Sequence, residues 1–304
     1  MQVIVSKTID DDVLISSNVP ENDYSEWNSG TTYATGDRVI VTDEGVHKIY
    51  ESLKDSNTNN YPPDNISGTD PWWLEVDATN RWKMFDAYVS TQTEYSGDIE
   101  ITLDVTKCDY VAFFQLEADE ISLSLEYNSE EVWSDTEDLL KNTSSSWSDY
   151  FFGSIEYKTD IAIQLGGLYS NNAELSVTIS ALSGTAKCGH VVIGKASTIG
   201  DTKWSVRAGI NDYSRRSTDS YGRTYLAQGY WSKRTEFELL VRTGAVDSVY
   251  KRLAALRSTP CVWMINNEST EYETLLVYGF YRTFDVIFET PEMSTCNLEI
   301  EGLV

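Results

Sequence analysis

Four segments of this chain alternate apolar and polar residues so strictly that a helix is excluded for them. IEITLDV puts Ile99, Ile101, Leu103 and Val105 on one side, and ISLSLEY does the same with Ile121, Leu123, Leu125 and Tyr127. IAIQL aligns Ile161, Ile163 and Leu165, and ELSVTISAL aligns Leu175, Val177, Ile179 and Ala181. A period of two is that of a strand with one face buried, and acidic residues on the other face mark it as wet. Several such strands in succession predict an antiparallel β-sandwich, assigned to residues 83–184.

Other parts of the chain carry different patterns. Residues 1–19 hold two short apolar runs, VIV and VLI, separated by three aspartates, and read as an N-terminal arm or an edge strand. Residues 20–82 read as a small β module. There DRVIV and HKIYES flank a TDEG turn, and KDSNTNNYPPDNISGTD forms a long polar loop. KNTSSSWSDY reads as another polar loop, inside the sandwich. Residues 185–304 alternate strands with one convincing helix, GAVDSVYKRLAALRS, in which Val246, Val249, Tyr250, Leu253 and Leu256 recur at helical spacing before Pro260. The expected fold class is therefore mainly β: a small three-stranded module, an antiparallel β-sandwich and a C-terminal α+β domain with one helix.

Charge supports a division near residue 184. Residues 1–184 carry 9 Lys+Arg against 34 Asp+Glu, whereas residues 185–304 carry 14 against 14. A net charge of −25 opposes binding to nucleic acid or an anionic membrane. No apolar run approaches the roughly 20 residues that span a bilayer, and MQVIVSKTIDDD lacks the basic start and apolar run of a signal peptide. An acidic patch for Ca²⁺ is conceivable, but no EF-hand spacing is present. Cys108, Cys188, Cys261 and Cys296 form no CxxC pair and read as free, buried thiols of a reducing compartment. Only His47 and His190 are available for a zinc site or a catalytic triad, and neither has partners that spacing identifies. Carboxylates are so abundant that a pair such as Asp119 and Glu120 carries no signal for acid–base catalysis. GxSxG, a P-loop and a strand-borne GxGxxG are all missing. The expectation is a protein that is not an enzyme and needs no cofactor or metal.

WNSGTTYATGDRVI is more specific. Trp27, Tyr33, Gly36, Asp37, Val39 and Tyr50, closed by Trp72 or Trp73, resemble the chitin-binding type 3 module. That resemblance covers residues 27–73 and implies a small three-stranded fold. In the family, exposed aromatics after the Tyr-led strand stack on sugar rings. This chain has ESLKDSN there, with Leu53 and Lys54 at those positions. Large rings are also what a domain so small needs for its core. Trp27, Tyr33, Tyr50, Trp72 and Trp73 are accordingly read as scaffold before sugar platform.

A module of this type, followed by TNRWKMFD and TQT and then a sandwich, resembles a class of tailed-bacteriophage virion proteins of the tail tip, baseplate or fibre-attachment region. Asn80-Arg81-Trp82 and Met84-Phe85-Asp86 carry the resemblance. Arg81, Trp82 and Phe85 read equally as contacts of a tight interdomain linker. The resemblance implies a structural tail protein, a distal-tail, baseplate or fibre-adaptor component, assembled in bacterial cytoplasm and residing in the virion. Its partners would be other tail proteins, tail fibres and copies of itself. A carbohydrate-binding receptor protein that recognises a host surface glycan is the alternative. Arg215, Arg216 and Arg223, in a loop expected over NDYSRRSTDSYGR, are the candidate subunit contacts, able to meet a neighbour's carboxylates in bidentate pairs.

Overall fold

Both large sheets of the protein are antiparallel, and one runs through chain segments from near the beginning to the end. The structure, a computed structural model, describes residues 1–43, 45–141, 156–181, 184–265 and 272–304. The polar loop expected after Lys141 and Glu44 of the TDEG turn lie outside the described residues.

The smaller sheet has five strands in the order Glu130–Asp138, Glu120–Tyr127, Ala173–Ser180, Ile99–Asp104, Leu14–Ser17. Its alternating apolar residues are inward as expected: Ile99, Ile121, Leu125, Leu175 and Ile179 are fully buried. The larger sheet has ten strands. It begins Ile161–Gln164, Tyr110–Phe114, His190–Thr198, Gln2–Lys7, Cys261–Met264, and continues Leu276–Ile287, Met293–Gly302, Trp231–Arg242, Asp201–Thr202. Arg207–Asp212 also pairs with Trp231–Arg242.

Strand pleating gives this sheet two apolar faces. On one face Val111, Phe113, Val191 and Ile193 pack against the five-stranded sheet. Farther along, Val3, Trp263, Val277 and Leu298 pack with the helix Val246–Ala255. The opposite face gathers Ile4, Ala112, Phe114, Val192, Val262 and Tyr278. The helix buries Val246, Val249 and Leu253, with Leu256 buried just past its end, but Tyr250 is 59% exposed. Tyr250 falls off the edge of the apolar stripe and meets Phe284 instead, with ring centroids 6.2 Å apart.

The mainly β architecture with one described helix therefore stands, but the expected boundary at residue 184 and the expected N-terminal arm do not. No sheet boundary falls at residue 184. Tyr110–Phe114 pairs with His190–Thr198 from Tyr110↔Gly194 to Phe114↔His190, so the 83–184 and 185–304 segments share one sheet and one core. Residues 1–19 are not an arm either. Gln2–Lys7 is central, bonded on one side to His190–Thr198 and on the other to Cys261–Met264, and only Leu14–Ser17 takes an edge. The charge step misled because acidic side chains track the outer faces of sheet and module, not the folding unit. A partly buried ion pair adds a second tie across the same point. Lys233 Nζ pairs with Asp160, and also donates to the carbonyls of Glu273 at 2.6 Å and Leu276 at 3.1 Å.

Expressed alone, residues 185–304 are expected to lack a dispersed NMR spectrum, because two of their strands would face an empty slot where Gln2–Lys7 belongs. A well-dispersed spectrum from that fragment would restore the boundary at 184.

Candidate functional site

The module is a three-stranded sheet, Arg38–Val41, Lys48–Ser52 and Trp73–Ala78, beside the short pair Thr32–Tyr33 and Asn57–Thr58. Gly36 of the Gly-Asp turn has φ +91°, the left-handed region that favours glycine, and Asp37 closes the turn by accepting from the Ala34 N–H at 2.7 Å. The five aromatics come together as the core of this unit. Tyr33, Tyr50 and Trp73 are buried, with Trp27 and Trp72 packed against them. Trp73 donates from Nε1 to the Asn60 carbonyl at 2.8 Å, and Tyr33 meets its ring edge-on at 5.3 Å. Lys54, standing where the resembled family places a stacking aromatic, lays its ammonium 4.5 Å from the centre of the Trp72 ring and pairs with Asp70. The rings hold the module together, and a protein cation already covers Trp72.

The linker residues lock the module to the sheets. Trp82 is 1% exposed, its ring 4.7 Å from the His47 ring and 5.7 Å from Phe85. Arg81 donates from Nε to the Val19 carbonyl at 2.7 Å and lies 3.4 Å from Glu21. His47 bonds Glu21 at 2.7 Å through Nδ1 and lies 3.1 Å from Asp11 through Nε2. Thr79 donates its hydroxyl to the same Glu21 at 2.7 Å. Burial by itself would lower the His47 pKa, but hydrogen bonding to Glu21 and the charges of Glu21 and Asp11 leave it raised. Burial would raise Glu21, and the bonds from His47 and Thr79 with the charges of His47 and Arg81 leave it lowered. Sequence spacing offered no partner for His47, because Glu21 and Asp11 reach it only through the fold.

A cleft of about 670 Å³ opens between module and large sheet, lined in part by Lys7, Tyr50, Asp86, Tyr88, His190 and Tyr278. Burial pushes the Asp86 carboxyl up to about 6, partly offset by bonds from Tyr88 and Thr91. Burial takes His190 down to about 4, so its imidazole is neutral, and its Nδ1 has no hydrogen-bond partner among the described residues. The four cysteines are free and buried, and burial raises each thiol, Cys108 and Cys261 to about 11. None is poised as a thiolate nucleophile. Among the described residues no group of three or more His, Cys, Asp or Glu side chains is placed to hold a metal ion. No described helix is long and apolar enough to cross a membrane.

The outlying feature of the surface lies elsewhere. Residues 213–230, overlapping the loop expected over 211–223, form a hairpin whose strands Arg215–Thr218 and Thr224–Ala227 pair only with each other. Asp219 makes its turn, accepting from the N–H groups of Tyr221 and Arg223, and Gly222 supplies φ +82°. Every residue of the two strands is exposed. Tyr221 is 88% exposed, Leu226 76% and Tyr230 67%, with Tyr213 and Tyr225 also in solvent. Arg215 and Arg216 sit side by side on one strand and Arg223 just beyond the turn. None of the three enters a salt bridge among the described residues. The arginines were legible in sequence. The tyrosines around them were not, since alternation in a hairpin bare on both faces does not reveal that nothing covers it.

No protein-family model, curated protein or solved structure matches the chain.

The His47 contribution to stability should be complete below its unfolded value of 6.5 and disappear as pH rises through the raised folded value. That of Glu21 should be complete above 4.5 and disappear as pH falls through its lowered value. The junction is thus expected to be tightest between these values. Thermal melts of wild type and His47→Gln should separate between pH 4.5 and 6.5, with wild type the more stable, and converge once pH has risen through the raised folded value of His47. Comparing the two proteins removes the separate slope of Asp86; a difference independent of pH would refute the charged pair.

Proposed function

We propose that the chain is a non-enzymatic structural component of a bacteriophage tail, acting as a distal-tail, baseplate or fibre-adaptor protein through contacts with copies of itself and with other tail proteins. The observation that carries this reading is the hairpin 213–230, which holds aromatic side chains and three arginines in solvent. Isolated apolar side chains are ordinary on a surface, but a bare two-stranded ribbon with clustered rings has little to stabilise it until something covers it. Tyrosine and arginine are also the side chains that dominate protein–protein hot spots. The module resemblance and the Asn80–Asp86 signature add the tail context. In this reading the hairpin anchors the protein, and the acidic five-stranded sheet and module face away from the anchor or carry fibres.

Recognition of a glycan by the module is the weaker reading, because Tyr33, Tyr50 and Trp73 are turned inward and Lys54 covers Trp72.

Sedimentation velocity tests the proposal. The full chain is expected to form concentration-dependent oligomers. A variant with residues 213–230 replaced by a short Gly-Ser turn should sediment as a monomer with unchanged near-UV circular dichroism. A monomeric full chain, or equal assembly by both proteins, would overturn it.

A further inference from the structure

We infer that the hairpin of one copy seats on the turn formed by residues 284–293 of a second copy, so that the protein joins itself head to tail. The inference rests on the self-assembly reading above and names the receiving surface.

The hairpin is basic and aromatic. Residues 213–230 contain Arg215, Arg216 and Arg223 against Asp219 alone, a net charge of +2. In a chain of net charge −25 such a segment is drawn to other parts of the same protein. The turn has the opposite character. FDVIFETPEM, residues 284–293, holds Asp285, Glu289 and Glu292 with no Lys or Arg, a net charge of −3. None of those carboxylates is in a salt bridge among the described residues. The apolar surface there matches the charge. Phe288 is 66% exposed and Ile287 49%, and at the start of the segment Phe284 meets Tyr250, itself 59% exposed.

The turn is also preformed. Thr290 accepts from the Met293 N–H through Oγ1 at 2.9 Å, and Thr243 donates its hydroxyl to the Thr290 carbonyl at 3.0 Å. A rigid, acidic, ring-bearing surface costs little to order when a partner lands on it.

Strand register decides between contact within one copy and contact between copies. Trp231–Arg242 has the hairpin at its Trp231 end, where Asp212↔Trp231 is the last pair of the root. Its other end pairs Arg242 with Met293, at the foot of the turn. Twelve residues of strand span roughly 35 Å, so the two surfaces lie at opposite ends of the same strand. A patch and its complement placed at opposite ends make a heterologous contact, which closes into a ring or extends into a stack.

The test uses the full chain throughout. Arg215→Glu/Arg216→Glu/Arg223→Glu and Asp285→Lys/Glu289→Lys/Glu292→Lys are each expected to raise the Kd for self-association by about tenfold or more at low salt. An equal mixture of the two variants should recover assembly, since each reversed surface then faces its complement. The altered side chains are solvent-facing, and melting temperatures check that both variants fold. Independently, Leu226→Cys/Phe288→Cys should cross-link between copies with a short bismaleimide, while wild type, whose cysteines are buried, should not. If reversing the hairpin abolishes assembly but reversing the turn does not, the receiving surface is elsewhere, with the exposed acidic edge strand Glu130–Asp138 next in line. The inference then falls while the self-assembly reading survives. Failure of the mixture to assemble, or absence of the inter-copy cross-link, also overturns the inference. A wild-type protein that stays monomeric removes both.

Discussion

The insertion of Gln2–Lys7 between His190–Thr198 and Cys261–Met264 is what makes one protein of this chain. Val3 and Ile4 are adjacent, both fully buried, and point to opposite faces of the sheet. One dipeptide thus fills the core beside the helix and the core on the far face. The strand also satisfies backbone groups of two neighbours that would otherwise present open edges inside the sheet. Without it, the half facing the five-stranded sheet and the half carrying the helix would each end in an unpaired strand.

The module hangs on this frame by a different kind of bond. Its own core is a cluster of aromatics, sufficient to close a very small sheet. Its position depends on a few groups: Trp82 buried against His47, and Glu21 shared by His47, Arg81 and Thr79. Such a network is polar and partly buried, so each member relies on the others to remain satisfied. It fixes an angle between parts more than it adds bulk stability. In the proposed adaptor role, such a joint would hold the module at a set angle to the docking surface.

What could be read from the sequence was whatever repeats locally. Ile99 to Val105, Ile121 to Leu125 and Leu175 to Ile179 announce their buried face because a strand shows its period within a few residues. The helix announced itself likewise, apart from Tyr250. Partnership was not legible. Ile161–Gln164 has the same alternation as the five-stranded sheet yet belongs to the other one, and VIV near the start gave no hint of a central position. Pairing of that kind is set by burial over the whole molecule. Charge composition pointed the wrong way, since side chains on an outer face report solvent and neighbours, not the strand order beneath them. At the candidate site the arginines stood out by number, whereas the bare tyrosines and the acidic turn gained meaning only from exposure and register.

The central strand has one more effect, on how the molecule comes into being. Ile4 pairs with Val262, a separation of 258 residues along the chain. A ribosome delivers the first of these long before the second, so Val3 and Ile4 must wait in an open state while most of the protein is made. Closing so long a loop is slow, and uncovered strand edges in the interval invite association with the wrong partner. The sheet can be completed only after its last strands emerge. Pairing of Gln2–Lys7 with Cys261–Met264 therefore places closure of the sheet late in synthesis, after an early segment has waited for a distant one.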